Sequence, residues 1–172
     1  ADYLKSDAPL FVSGDNDLLS SLDSGGRYRI VTFGLSEGCM WRGTDLETDS
    51  GGQSFLCRTP DGRTQSVRLP APGSHMACDA LAALAAADWL GVPLPDAARA
   101  LAGYIPPKMR QVISQEGGVL LIDDSYNASP DSMRSALGLL AGQEISGQRF
   151  AVLAGMRELG DYTQQGHLET GA

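Results

Sequence analysis

The stretch Val119-Leu120-Leu121-Ile122-Asp123-Asp124-Ser125-Tyr126-Asn127-Ala128-Ser129-Pro130-Asp131-Ser132-Met133 passes from an unbroken apolar run to two acids, a polar loop and a helix start. A continuous apolar run of this length reads as a strand covered on both faces. Ser129 suits an N-cap, Pro130 the first helical position, and Asp131 the positive end of the helix dipole. Met133, Ala136, Leu137 and Leu140 then fall at i, i+3, i+4 and i+7, and Gly142 ends the helix. Phe150-Ala151-Val152-Leu153 reads as the next apolar strand. Residues 110–155 are therefore expected to form a βαβ unit, with Gln111 to Ser114 as a further strand.

Working back from this unit, Pro106-Pro107 is a rigid connection and the expected boundary between domains. Before it, Ala77, Ala80, Leu81, Leu84 and Ala87 follow the helical period, with Gly91 as the stop. Pro95-Asp96 opens a second helix that ends near Gly103. Residues 38–70 read differently. Gln53 to Thr59 and Thr64 to Leu69 flank the turn Pro60-Asp61-Gly62, and Val67 and Leu69 alternate with polar neighbours, so a small antiparallel β meander is expected. Leu10-Phe11-Val12 and Tyr28 to Phe33 read as strands, with a short helix over Asp17 to Leu22. Trp41 and Trp89 are expected in the core or an interface. The fold class is α/β, with domains at 1–106 and 107–172, helices at about 74–103 and an incomplete second domain.

Composition narrows the function. The chain has 172 residues and a formal net charge of -8, with a pI near 4.6. Such a chain repels phosphate backbones and anionic membranes, so nucleic acid and membrane partners are not expected. The cysteines Cys39, Cys57 and Cys78 form no C-x-x-C pair, which points away from a zinc site or disulfide framework and toward a reduced, cytoplasmic compartment. No apolar run of about 18 residues occurs, and no signal peptide is evident. The opening Ala1-Asp2-Tyr3-Leu4 suggests a piece of a longer or processed protein.

The best-placed chemistry lies at Asp123 and Asp124, beyond the carboxyl end of a strand, where ligands of open α/β sheets collect. Carboxylates there accept ribose hydroxyls or hold a metal; equally, they cap a helix or bind water. Arg110, after the rigid Pro-Pro segment, is suited to a phosphate, although by itself a surface arginine is the commoner case. His75 opens the Ala-rich helix, where an ordinary helix-start residue is equally the commoner case. His167 carries less information still. No G-x-x-x-x-G-K-[ST] phosphate loop occurs, and the only lysines are Lys5 and Lys108.

These motifs, in this order, resemble the Mur ligase family, in its branch that adds D-alanyl-D-alanine. Gly73-Ser74-His75-Met76-Ala77-Cys78-Asp79-Ala80-Leu81-Ala82-Ala83 resembles the helix pattern Gly-x-His-Asn-x-x-Asn-Ala-Leu-Ala-Ala. Lys108-Met109-Arg110 resembles a Gly-Met-Arg or Gly-Arg element. Ile122 to Met133 resembles Ile-Asp-Asp-x-Tyr-Asn-Ala-x-Pro-x-Ser-Met, which is specific to this branch. Val152 to Gly160 and His167-Leu168-Glu169-Thr170-Gly171 resemble two further elements. An Asn-x-Asp-Asp element falls on Ser13-Gly14-Asp15-Asn16.

The resemblance implies the end of a central ATP-binding domain followed by the beginning of a Rossmann-like C-terminal domain. It implies a ligase that uses ATP and Mg2+ to activate a carboxylate of a UDP-muramoyl tripeptide as an acyl phosphate, which the amine of D-alanyl-D-alanine attacks. Arg110 would contact ATP phosphates and Asp124 the ribose. Tyr126 and Asn127 would lie near the nucleotide, and His75 beside the adenine. Magnesium ligands and the phosphate loop are expected outside these residues, so the chain alone is expected not to catalyse. A monomer is expected at full length. The family's polar residues are replaced at Ser13, Met76, Asp79, Ala154 and Gly155, which leaves open a degenerate module that binds nucleotide or a partner without catalysis. A phospho-accepting receiver domain would open similarly, but it requires an acceptor Asp where Ala154-Gly155 stand and a lysine after Lys108.

Overall fold

The structure, a computed structural model, describes residues 8–49 and 51–171. The opening Ala1-Asp2-Tyr3-Leu4 and Lys5 lie outside them. The chain divides into two compact units, Ala1–Tyr104 and Ile105–Ala172.

The first unit is a mixed five-stranded sheet in the order β1-β2-β3-β4-β5. These strands are β1 (Pro9–Ser13), β2 (Arg29–Gly34), β3 (Trp41–Asp49), β4 (Gly52–Arg58) and β5 (Thr64–Leu69). β1 and β2 are parallel, with Phe11 opposite Val31. β2 meets β3 in parallel only at Phe33–Trp41 and Gly34–Arg42. The expected meander is present as β3–β4–β5, both pairs antiparallel, but it continues the parallel strands in one sheet. A register shift between Thr44 and Glu47 bends β3.

The helices cover one face of that sheet. Apart from the short α1 (Asp17–Ser20), they are α2 (Ser74–Trp89) and α3 (Leu94–Ala102). Of the period read from the sequence, Ala77, Ala80, Leu81 and Leu84 are buried in α2, together with Ala85, while Ala87 is only partly buried. It packs on β1, β2 and β3, while α3 packs on β5. Their small side chains let the helices approach Trp41, Phe55, Cys57, Val67 and Leu69 of the sheet in one core. Trp41 belongs to that core. Trp89 is 51% exposed, with the Arg29 guanidinium 5.9 Å from its ring centroid.

The second unit departs from expectation. β6 (Val112–Glu116) and β7 (Val119–Asp123) pair antiparallel across Gly117-Gly118. Both glycines have positive φ, 56° and 80°, as a tight hairpin turn demands. The unbroken apolar run is thus a hairpin strand and not one covered on both faces, since Val119 and Leu121 are more than half exposed. α4 (Pro130–Ala141) follows as expected. Ser129 Oγ accepts from the Ser132 N–H, and Ser132 Oγ accepts from the Ser129 N–H.

Phe150-Ala151-Val152-Leu153 is not a strand, so there is no βαβ unit. Apolar composition supplies the side chains of a strand but not the neighbouring ladder that defines one. Among the described residues, no strand pairs with this segment. A 3-10 turn (Gly160–Tyr162) and α5 (Thr163–Gly171) complete the unit.

Candidate functional site

Two places carry polar chemistry, one in each unit. In the first unit it gathers at the carboxyl ends of the parallel strands β1 and β2. Gly14 N–H donates to Phe33 O (2.8 Å), which carries the chain past the end of β1. Asp15 then reaches across. Its Oδ2 accepts from Leu35 N–H (2.7 Å) and its Oδ1 from Ser36 N–H (2.9 Å). Gly34 is required for this approach, because a Cβ there would sit 2.5 Å from Asp15 Oδ2. Cys78 of α2 donates its thiol to the same carboxylate at 3.5 Å, and Cys39 Sγ lies 3.9 Å from it.

Burial alone would raise the Asp15 carboxyl. The hydrogen bonds from Ser36, Leu35 and Cys78 outweigh it and hold the group below the usual carboxylate range. The reverse applies to the thiols: burial and the Asp15 charge push Cys78 up to about 12. Cys78 is therefore a neutral donor and not a nucleophile.

His75 stands one turn before Cys78, half-buried at the start of α2, and its imidazole folds back over Gly73. Gly73 is anchored in turn by the buried Gln53, whose Nε2 donates to the Gly73 carbonyl at 2.8 Å. Ser13 ends β1, Met76 of α2 packs against the core, and Asp79 is exposed.

In the second unit the structure brings Arg110, Asp124 and Tyr126 together. Asp124 extends the β6–β7 ladder by one rung: its Oδ1 accepts from Gln111 N–H at 3.2 Å, beyond the last backbone pair, Val112–Asp123. Tyr126 N–H donates to Met109 O at 3.1 Å. The Arg110 guanidinium lies over the Tyr126 ring, 4.3 Å from its centroid. Asn127 is exposed on the same loop.

Asp123 has a different task. Its Oδ1 accepts from both Ser125 N–H and Ser125 Oγ–H and so closes the turn after β7. Gln111 Oε1 is buried without a hydrogen-bond partner. Among the described residues no group of three or more His, Cys, Asp or Glu assembles that would hold a metal ion.

His167 is fixed by backbone on both sides. Met156 N–H can only donate and approaches Nε2 at 2.9 Å; Thr163 O can only accept and lies 2.7 Å from Nδ1. Nε2 thus accepts and Nδ1 donates: the first bond ties the 153–157 segment to α5, and the second lies within α5 itself.

Residues 110–172 match the family described as Mur ligase, glutamate ligase domain. Along 170 residues the chain is 34% identical to the UDP-N-acetylmuramoyl-tripeptide--D-alanyl-D-alanine ligase of Bacillus subtilis, covering 98% of this chain and 36% of that protein. The chain belongs to the Mur ligase family.

The Escherichia coli ligase of the same description is 36% identical over 130 residues, 74% of this chain and 28% of that one. Among solved structures, MurF from Acinetobacter baumannii superposes with a TM-score of 0.84 at 34% identity, over 95% of this chain and 35% of that one. The MurF ligase of Thermotoga maritima, solved in complex with ADP, gives 0.81 at 25% identity, over 97% of this chain and 38% of that one. This Mur ligase chain therefore spans about a third of the length of the relatives it matches. No described helix is long and apolar enough to cross a membrane.

Proposed function

We propose that the chain is part of a cytoplasmic, ATP-dependent ligase that adds D-alanyl-D-alanine to a UDP-N-acetylmuramoyl tripeptide in peptidoglycan synthesis. Residues 1–106 are the end of its central ATP-binding domain and 107–172 the start of its Rossmann-like ligase domain. The observation that carries this reading is the convergence of Arg110, Asp124 and Tyr126 at the end of β7, within the residues that match the family.

The residues present fit a nucleotide. Arg110 offers an exposed guanidinium for phosphate oxygens, and Asp124 has one oxygen committed to Gln111, leaving the other for ribose hydroxyls. Tyr126 and Asn127 flank them. In the first unit, His75 at the start of α2 is read from the Gly73 to Ala83 helix motif as the residue for the adenine. The Mg2+ ligands are read as lying outside these residues. The partners are small molecules, the two substrates. The charge of -8 disfavours nucleic acid and anionic membranes, and the full-length protein is read as a monomer.

ADP binding to this chain, followed by calorimetry, tests the reading. Arg110→Ala and Asp124→Ala are each expected to weaken binding about tenfold or more, as loss of a charge-assisted hydrogen bond does. Parental affinity in both variants would remove the nucleotide assignment.

A further inference from the structure

Arg110 is bracketed by two non-glycine residues in the left-handed region, Met109 at φ 62° and Gln111 at φ 50°. Side chains at such positions strain the backbone, so the surrounding structure must hold this segment in place. Two hydrogen bonds do so, Tyr126 N–H to Met109 O and Gln111 N–H to Asp124 Oδ1. Both tie residues 109–111 to the loop after β7, and together they seat the Arg110 guanidinium against the Tyr126 ring, 4.3 Å from its centroid.

A cation stacked on an aromatic ring meets it through the face of the guanidinium. A phosphate is bound by its N–H edge, so the ring and an oxyanion do not compete. An exposed arginine otherwise samples many rotamers and loses that freedom on binding.

We propose that Tyr126 is a positioning residue for Arg110: its ring holds the guanidinium flat, with the N–H edge outward, for the phosphates of a bound nucleotide. This inference rests on the nucleotide reading of the site and adds to it that Tyr126 acts through Arg110 and does not itself grip the base.

The test combines NMR of the free chain with titrations of ADP, tripolyphosphate and adenosine. In the parent and in Y126F, the Arg110 side-chain protons are expected to be shifted upfield by the ring current; in Y126L that shift disappears. Y126L is expected to weaken ADP and tripolyphosphate alike, by roughly tenfold, which is the scale of a partly desolvated cation–π contact. Adenosine is unaffected, and Y126F recovers binding to within about twofold. In an R110A background, Y126L has no further effect, as required of two groups acting as one.

The dispersed amide spectrum of each variant reports that it is folded. Y126L binding like the parent, additive losses in the double variant, or a loss confined to adenosine would each overturn the positioning role. An R110A variant with parental ADP affinity, its neighbours' spectra unchanged, would instead defeat the nucleotide reading and the inference with it.

Discussion

Backbone strain and a hydrogen-bonded carboxylate place two expectations on single residues. Met109 sits at φ 62°, where a Cβ costs roughly 1–2 kcal/mol and glycine is free of that penalty, less the ~0.5–1 kcal/mol of chain entropy that glycine forfeits on folding. Met109→Gly should therefore stabilise the second unit by up to about 1 kcal/mol, read as a higher urea midpoint; an unchanged or lower midpoint would show that Met109 is not strained. Asp15 is the second case. Its hydrogen bonds hold the folded carboxyl below its unfolded value, so the folded chain prefers the ionised form. That stability is present above the unfolded carboxylate range, near 3.9, and is lost as pH falls through the lower folded value. Urea unfolding of the first unit between pH 6 and 3 should show a shallower loss in Asp15→Asn than in the parent. Equal slopes would mean that the carboxylate does not brace Leu35 and Ser36.

Within elements, legibility followed how local the decisive interactions are. α2 was readable because Ala77, Ala80, Leu81 and Leu84 repeat at helical spacing, and β5 because Val67 and Leu69 alternate with polar residues. The Ile122 to Met133 motif located Asp124 and Tyr126 for the same reason: the loop and the cap are encoded within a dozen residues. The role of Asp15 was not readable, since its partners lie 20, 21 and 63 residues away. Nor was the fate of Phe150 to Leu153, because a strand depends on a neighbour that its own residues do not specify. The start of α4 allows a direct check. Ser129 satisfies the Ser132 N–H, and removing such a cap costs about 1 kcal/mol. Ser129→Ala should lower the stability of the second unit by that amount, with Ser129→Asp retaining it; helical circular dichroism during urea unfolding would show both, and an unaffected alanine variant would mean that α4 does not rely on this cap.

Across the whole molecule, burial is unevenly distributed. Among the described residues, the buried apolar ones belong to the first unit with one exception, Met156. In the second unit β7 exposes Val119 and Leu121, and Phe150 and Val152 face solvent. Burial of apolar surface is the main favourable term in folding, about 25 cal/mol per Å2, so the two units should differ in the free energy at which their backbones open. Amide hydrogen exchange should accordingly protect α2 and β4 most strongly, and α4 and the β6–β7 hairpin far less. Leu81 sharpens the contrast: it is fully buried between α2 and the sheet, and truncating such a side chain costs about 2–5 kcal/mol. Leu81→Ala should therefore collapse protection throughout residues 8–104 while leaving exchange in α4 unchanged. If protection in the parent were uniform along the chain, or if Leu81→Ala lowered it equally in both units, the chain would be a single cooperative body, and the separate assignment of the two units would have to be abandoned.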